Sequence, residues 1–388
     1  MRPSCTTATR QHPLQVLCVT LWNASAEDSV YTATALPAAL LKLAPTLTDL
    51  ELTNEHSADT GDAPPRIAPW SGLRRLRVDG YLIVVAPPTP FEPTIRNLCL
   101  WDADCDWDAD LLAALASLHR LRVSGNSAWN FTEFMDEENR QPLDMPPDVF
   151  LPALRHFGCT GDMPLDKVLT RWPHLESLYA RGSVNRVGNE WKECCHQPTV
   201  HGSLSKLHIK LEHPIMRAWR FPNLRTLECT VDSVKEPWAK HWPSFKACVG
   251  AAAAKLTTVV IRDWANEVKQ PTRMIPPMPE GDAWTTTFPR LVTAQFHVSF
   301  ERHVAEITAV LVRAPALTNV SVSVHSKAGM QWLSTLGEHG RPGGTFANLL
   351  HLHVGTPEHL RTYPLAYACL LRTTPTLQAC HDIATFNE

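Results

Sequence analysis

Leu118-His119-Arg120-Leu121-Arg122-Val123 carries apolar side chains at its first, fourth and sixth places. The same spacing, with aliphatic, Cys or Ala replacements, starts at Leu14, Leu47, Leu73, Ile95, Leu118, Leu154, Leu175, Leu204, Leu224, Leu256, Leu291, Leu317, Leu349 and Leu377. LTDLEL at Leu47, LRRLRV at Leu73, LSKLHI at Leu204 and LLHLHV at Leu349 are the cleanest other copies, and LQACHD at Leu377 is degenerate. Successive starts lie 20 to 36 residues apart, about 28 on average. A period of that size marks a repeat architecture.

Within each copy the second and third apolar positions are two residues apart, so on a strand they point to one side and their neighbours to the other. Proline stands two residues before the first apolar position at Pro45, Pro152, Pro173, Pro222, Pro289, Pro315 and Pro375. It ends one element and admits an extended one, since it lacks an N–H and biases the residue before it away from helix. Leu36, Leu40 and Leu43 precede Pro45; Val304, Ile307 and Leu311 precede Pro315; Tyr363, Tyr367 and Leu370 precede Pro375. Steps of three and four place each set on one helical face. The unit is strand, loop, helix, Pro, strand. Right-handed crossovers of this kind stack into a solenoid, with a parallel sheet on the concave side and helices or irregular segments on the convex side.

The 20-residue gap from Leu204 to Leu224 predicts a short or irregular convex segment there. Gly125 to Phe150 and Trp264 to Phe288 read as loops, because the register resumes directly after each. The expected organisation is a short segment over 1–13, then one α/β solenoid of about fourteen repeats over 14–388.

LTRWPHLESLYARG from Leu169, FPNLRTLEC from Phe221, LPALRHFGC from Leu151 and FPRLVTAQF from Phe288 resemble the leucine-rich-repeat region of fungal F-box proteins. That resemblance covers nearly the whole chain and implies a leucine-rich-repeat horseshoe. Its function would be to recruit a protein substrate, with an F-box module joining it to a ubiquitin-ligase core. Thirteen residues precede Leu14, too few for a three-helix F-box, so the link to a ligase core requires an F-box upstream. The asparagine ladder common in such repeats is mostly missing. Asn126 occupies that place, with Asp162, Ser183 and Asp232 as stand-ins.

Composition narrows the function. A formal net charge of -3 gives no global attraction to nucleic acid or to an anionic membrane surface. No apolar run approaches the roughly 18 residues that span a bilayer, and Met1 to His12 is too polar for a signal peptide. Eleven scattered cysteines, with Cys159 and Cys229 on inward strand positions and Cys248 and Cys369 on apolar helix faces, fit a reducing compartment. The expected location is cytoplasmic or nuclear. The alternative is a secreted or cell-surface recognition repeat, supported by sequons at Asn23, Asn130 and Asn319.

Residues beside the second and third apolar positions predict the inner wall. They include Asp49 and Glu51; Arg75, Arg77 and Asp79; Asn97, Cys99 and Trp101; Arg120, Arg122 and Ser124; His156 and Thr160. They continue with Ser177, Tyr179 and Arg181; Lys206, His208 and Lys210; Thr226, Glu228 and Thr230; then Thr258, Arg262, Gln295, His297, Asn319, Ser321, His351 and His353. From Arg75 to Lys210, seven Arg or Lys stand against Asp79. Arginine forks bind carboxylates or phosphates at two points, and Trp101 and Tyr179 offer flat apolar contact. An acidic or phosphorylated peptide segment is the expected ligand, held by Arg75, Arg77, Trp101, Arg120, Arg122, Tyr179, Arg181, Lys206, His208 and Lys210. A merely solvated strand face is the other reading.

Asp102, Asp104, Asp106, Asp108 and Asp110 alternate like a cation loop, but Trp107 and Ala113 stand where an EF-hand needs Gly and Glu. The run reads instead as a polar turn whose last Asp caps a helix beginning near Leu111. His351 and His353 lack a third ligand by spacing, and Cys194-Cys195-His196 lacks a second Cys pair. GRPGGTF at Gly340 follows no strand and contains no Lys, and Pro276-Pro277-Met278-Pro279 reads as a stiffened loop. No nucleophile elbow, phosphate loop, zinc-protease helix or dinucleotide fingerprint occurs, so neither catalysis nor a cofactor is expected. The first strand, Val16 to Trp22, is apolar, whereas solenoids need covered ends; this predicts a cover or a chain that continues upstream.

Overall fold

The computed structural model describes residues 15–21, 46–54, 66–80, 82–88, 92–101, 103–105, 107–124, 150–160, 165–180, 199–231, 242–263, 286–297, 307–322, 347–354 and 379–382. The chain divides into two compact units, Met1–Trp172 and Pro173–Glu388. Both are α/β, rich in parallel strands and sparing in helix.

The first unit contains β1 (Val16–Leu21), β2 (Asp49–Asn54), β3 (Arg66–Ile67), β4 (Arg75–Gly80), β5 (Ile83–Val84), β6 (Asn97–Trp101), β7 (Asp104–Cys105), α1 (Ala109–Ala114), β8 (Arg120–Ser124), β9 (His156–Cys159) and α2 (Leu165–Arg171). Strands β1, β2, β4, β6, β8 and β9 pair in that order, every pair parallel. The short strands β3, β5 and β7 form a parallel sheet of their own.

The second unit contains β10 (Ser177–Ala180), β11 (Thr199–Val200), β12 (Lys206–Lys210), α3 (Ile215–Ala218), β13 (Trp219–Arg220), β14 (Thr226–Val231), α4 (Trp242–Ala252), β15 (Thr258–Asp263), β16 (Thr293–His297), β17 (Asn319–Val322), β18 (His351–Val354) and β19 (Ala379–Asp382). Its main sheet runs β10, β12, β14, β15, β16, β17, β18, β19, again parallel throughout. Strands β11 and β13 pair separately.

The apolar spacing accounts for this packing. All twelve described repeat starts, Leu47 to Leu349, are at most 1% exposed. The second and third positions follow them inward, from Leu50 and Leu52 to Val320 and Val322. Leu14 and Leu377 lie outside the described residues. In-register pairing puts equivalent positions side by side, such as Leu76 with Leu98 and Leu98 with Leu121. Burying such a side chain fully contributes about 1.5–3 kcal/mol, and the repetition supplies the core.

Two polar devices hold the stack in register. One backbone carbonyl per junction accepts two successive N–H groups from the next repeat. Gln15 serves Thr48 and Asp49, Arg96 serves His119 and Arg120, and Arg225 serves Thr257 and Thr258. A hydroxyl often adds a third donor to the same oxygen: Thr48 to Gln15, Ser205 to Glu176, Thr257 to Arg225 and Thr318 to Val292, at 3.0–3.4 Å.

The second device is the turn ahead of each strand. The N–H groups of Leu154, Leu224, Leu291 and Leu317 donate to the carbonyls of Leu151, Phe221, Phe288 and Ala314, three residues earlier. Pro152, Pro222, Pro289 and Pro315 thus occupy the second place of a β-turn, where a fixed φ suits them. The residue before each proline is a core anchor at most 1% exposed. The spacing pattern alone did not show this.

Between Leu204 and Leu224 lie a four-residue α3 and the two-residue β13, as the short gap predicts. Ahead of Pro315, residues 307–311 are helical, with Ile307 and Leu311 buried. The helices expected before Pro45 and Pro375 lie outside the described residues, as do most of the loops after Gly125 and Trp264. Gly80 closes β4 at φ +87°, with the Asn54 carbonyl 1.9 Å from where a Cβ would stand, so a side chain is excluded there.

Candidate functional site

On each main sheet the residues between the buried positions project from the opposite face. In the first unit they form rows across the strands. Asp49, Arg75, Asn97, Arg120 and His156 make one row; Glu51, Arg77, Cys99, Arg122 and Gly158 make the next; Thr53, Asp79 and Trp101 belong to a third.

These arginines are not equivalent. The Arg77 guanidinium lies 3.1 Å from Glu51 and 3.7 Å from Asp79, so its charge is answered within the face. Arg122 lies over the Trp101 ring at 5.4 Å, a cation–π contact that fixes both side chains. Arg75 and Arg120 are exposed, flank Asn97 on either side, and make no ion pair among the described residues. Asp49 is the register partner of Arg75, but its carboxylate accepts from the Thr48 hydroxyl at 2.8 Å. Burial pushes the Cys99 thiol above its ordinary range, with Arg122, Arg77 and Arg75 pulling it down and Asp79 raising it.

In the second unit the polar row is self-connected. The Tyr179 and His208 rings lie 4.4 Å apart at 59°. His208 Nδ1 stands 3.3 Å from Glu228 Oε2, and Arg262 Nη2 stands 3.1 Å from Glu228 Oε1. Glu228 therefore spans two strands, answering an imidazole on one side and a guanidinium on the other. Lys206 and Lys210 flank His208 on β12 and make no ion pair among the described residues. Thr258, Gln295, His297, Asn319 and His351 are half-buried, while Ser321 and Val260 on the same face are each 7% exposed.

A scan against models of protein families and a search of curated proteins returned no match to this chain.

Of the ten ligand residues read from the sequence, the first unit gathers Arg75, Arg77, Trp101, Arg120 and Arg122 on one sheet face. The second gathers Tyr179, Lys206, His208 and Lys210, and Arg181 lies outside the described residues. Within each unit these side chains stand near carboxylates: Glu51 and Asp79 in the first, Glu228 in the second. Sequence reading missed the pairing of Arg77 with Glu51 and of His208 and Arg262 with Glu228. Equal offset within successive repeats was the available signal for the first two contacts.

The acidic run is corrected in one detail. Asp108, not Asp110, caps α1: its Oδ1 accepts the Leu111 N–H at 2.7 Å, and Asp110 sits in the first turn, where a carboxylate favours the helix dipole. Asp102 and Asp106 lie outside the described residues, as do the Cys194–His196 run and the His353 side chain. Among the described residues, no three His, Cys, Asp or Glu side chains converge as a metal site would require.

Proposed function

We propose that this chain is a non-catalytic protein-interaction module, a leucine-rich-repeat horseshoe similar to F-box substrate receptors. Its ligand is an acidic or phosphorylated segment of a protein partner, lying across the polar face of the sheet. One observation carries this: among the described residues, Arg75 and Arg120 project from that face with no carboxylate in an ion pair with them, on either side of Asn97 and next to the Arg122–Trp101 stack. Unanswered guanidinium groups on a regular surface favour ligands that bring carboxylate or phosphate oxygens in pairs.

A ligase link requires an F-box from the same gene product, and recovery of a ubiquitin-ligase core with that product tests it. Among the described residues, Cys18, Cys99, Cys229 and Cys248 are free thiols, which supports a cytoplasmic or nuclear setting over a secreted one. Among the described residues no helix is long and apolar enough to cross a membrane.

The test is anisotropy titration of the full chain with labelled oligoglutamate and phosphoserine peptides. Arg75→Glu with Arg120→Glu is expected to weaken binding about 10–100-fold. Arg290→Glu, in the turn ahead of β16, is expected to leave it within about twofold. Equal affinity in all three proteins overturns the reading.

A further inference from the structure

His208 is held on three sides. Tyr179 covers one ring face from β10, Glu228 on β14 takes the Nδ1 side, and the Nε2 atom is enclosed without a hydrogen-bond partner. Facing a carboxylate oxygen, Nδ1 carries the hydrogen, which leaves Nε2 as a bare acceptor in the neutral ring. Among the described residues, the charged groups around it are Lys206 and Lys210 on its own strand, Glu228 on β14, and Arg262 on β15 behind Glu228. Tyr179 is the titratable group from β10.

Protonation changes this arrangement in one definite way. The Nδ1 contact becomes a charge-assisted pair with Glu228, while Nε2 gains a hydrogen that no neighbour accepts. An enclosed donor left unsatisfied is costly, about 1–3 kcal/mol. A carboxylate arriving between Lys206 and Lys210 can accept that hydrogen once the groups enclosing Nε2 give way.

We propose that His208 couples the binding of a carboxylate-bearing partner segment on the second unit to uptake of one proton. The proton comes from solvent and goes to Nε2; the ligand carboxylate accepts the resulting N–H, and no covalent bond changes. The proposal rests on the acidic-segment reading and adds its regulation: because binding takes up a proton, it tightens as the solution is acidified. By linkage, the affinity changes by up to about tenfold per pH unit where uptake is complete.

The experiment is isothermal titration of the full chain with oligoglutamate at neutral pH, in phosphate and in Tris buffer, whose ionisation heats differ. The expected result is a buffer-dependent heat that reports a fraction of a proton taken up per peptide. His208→Asn is expected to bind the peptide with no buffer dependence. Glu228→Gln, which removes the charge that favours the imidazolium, is expected to shift the uptake to lower pH and stands in should His208→Asn not fold. Binding with equal heats in both buffers overturns the coupling and leaves the acidic-segment reading intact. So does proton uptake that persists in His208→Asn. Absence of binding at every pH overturns both.

Discussion

His213 sits beside α3 with its ring closed off from water, and its Nδ1 accepts the Ile215 N–H at 3.2 Å. Burial, helped by the Lys210 charge, lowers its pKa from 6.5 to about 4. The sign follows from which state binds the proton first. Below pH 6.5 the unfolded chain protonates this residue while the folded chain does not. Its contribution is therefore full above 6.5 and is lost as pH falls toward 4, about 3 kcal/mol in all. Urea unfolding at neutral pH and near pH 5 measures it. His213→Asn, whose amide oxygen can take the Ile215 N–H, is expected to flatten that part of the pH dependence. A variant with the wild-type slope would refute the assignment. Little of this was visible in the sequence, where His213 is one of 18 histidines and stands beside a proline in no repeat position. Arg77 and Arg75 make the same point. Both occupy polar strand positions, and only the neighbouring strand, with Glu51 beside one and Thr48 holding Asp49 beside the other, separates a satisfied charge from an unsatisfied one.

At the level of elements, strands were legible because alternation over six residues is dictated by the pleat, and each β-strand of the main sheets starts within two or three residues of its apolar repeat start. Turns and hydroxyls were not, since the proline was read as an element break and the residue directly after the first apolar position was given no role. Thr48, Ser205, Thr257 and Thr318 each follow a first-position Leu and bond back to the preceding repeat. Thr257→Val and Thr318→Val keep the shape and remove the donor. Each is expected to lower stability by about 1 kcal/mol in denaturant unfolding. Because the Arg225 and Val292 carbonyls also accept two N–H groups each, the loss should not grow to that of an orphaned acceptor. A change under a few tenths of a kcal/mol in both variants would show that the hydroxyls are passengers. Helices were the least legible elements: α3 has four residues and α1 six, too short for their apolar spacing to register as a face.

The repeat supplies stability through neighbours, so position within a unit decides how firmly a strand is held. In the first unit β6 is paired on both sides, by β4 and β8, and its Leu98 and Leu100 are at most 1% exposed. Strand β1 is paired by β2 along one side of the sheet order, and its Val16 remains 60% exposed. The period of about 28 residues foretold the parallel stack, since apolar positions that recur in step can be buried together only by lying side by side. It could not grade the strands, because LQVLCV at Leu14 and IRNLCL at Ile95 carry the same apolar spacing and differ in what flanks them. Native-state hydrogen exchange reads that grading directly. Amides of β6 are expected to exchange only through large-scale unfolding of the unit, while those of β1 exchange through local opening, with protection lower by several kcal/mol on the order of the local-to-global span. Leu98→Ala, removing a buried side chain at the centre, is expected to cost about 2–5 kcal/mol and to lower protection in β4 and β8 together with β6. Equal protection of β1 and β6 would mean that the unit opens as one block, and that nearest-neighbour stacking does not govern its stability.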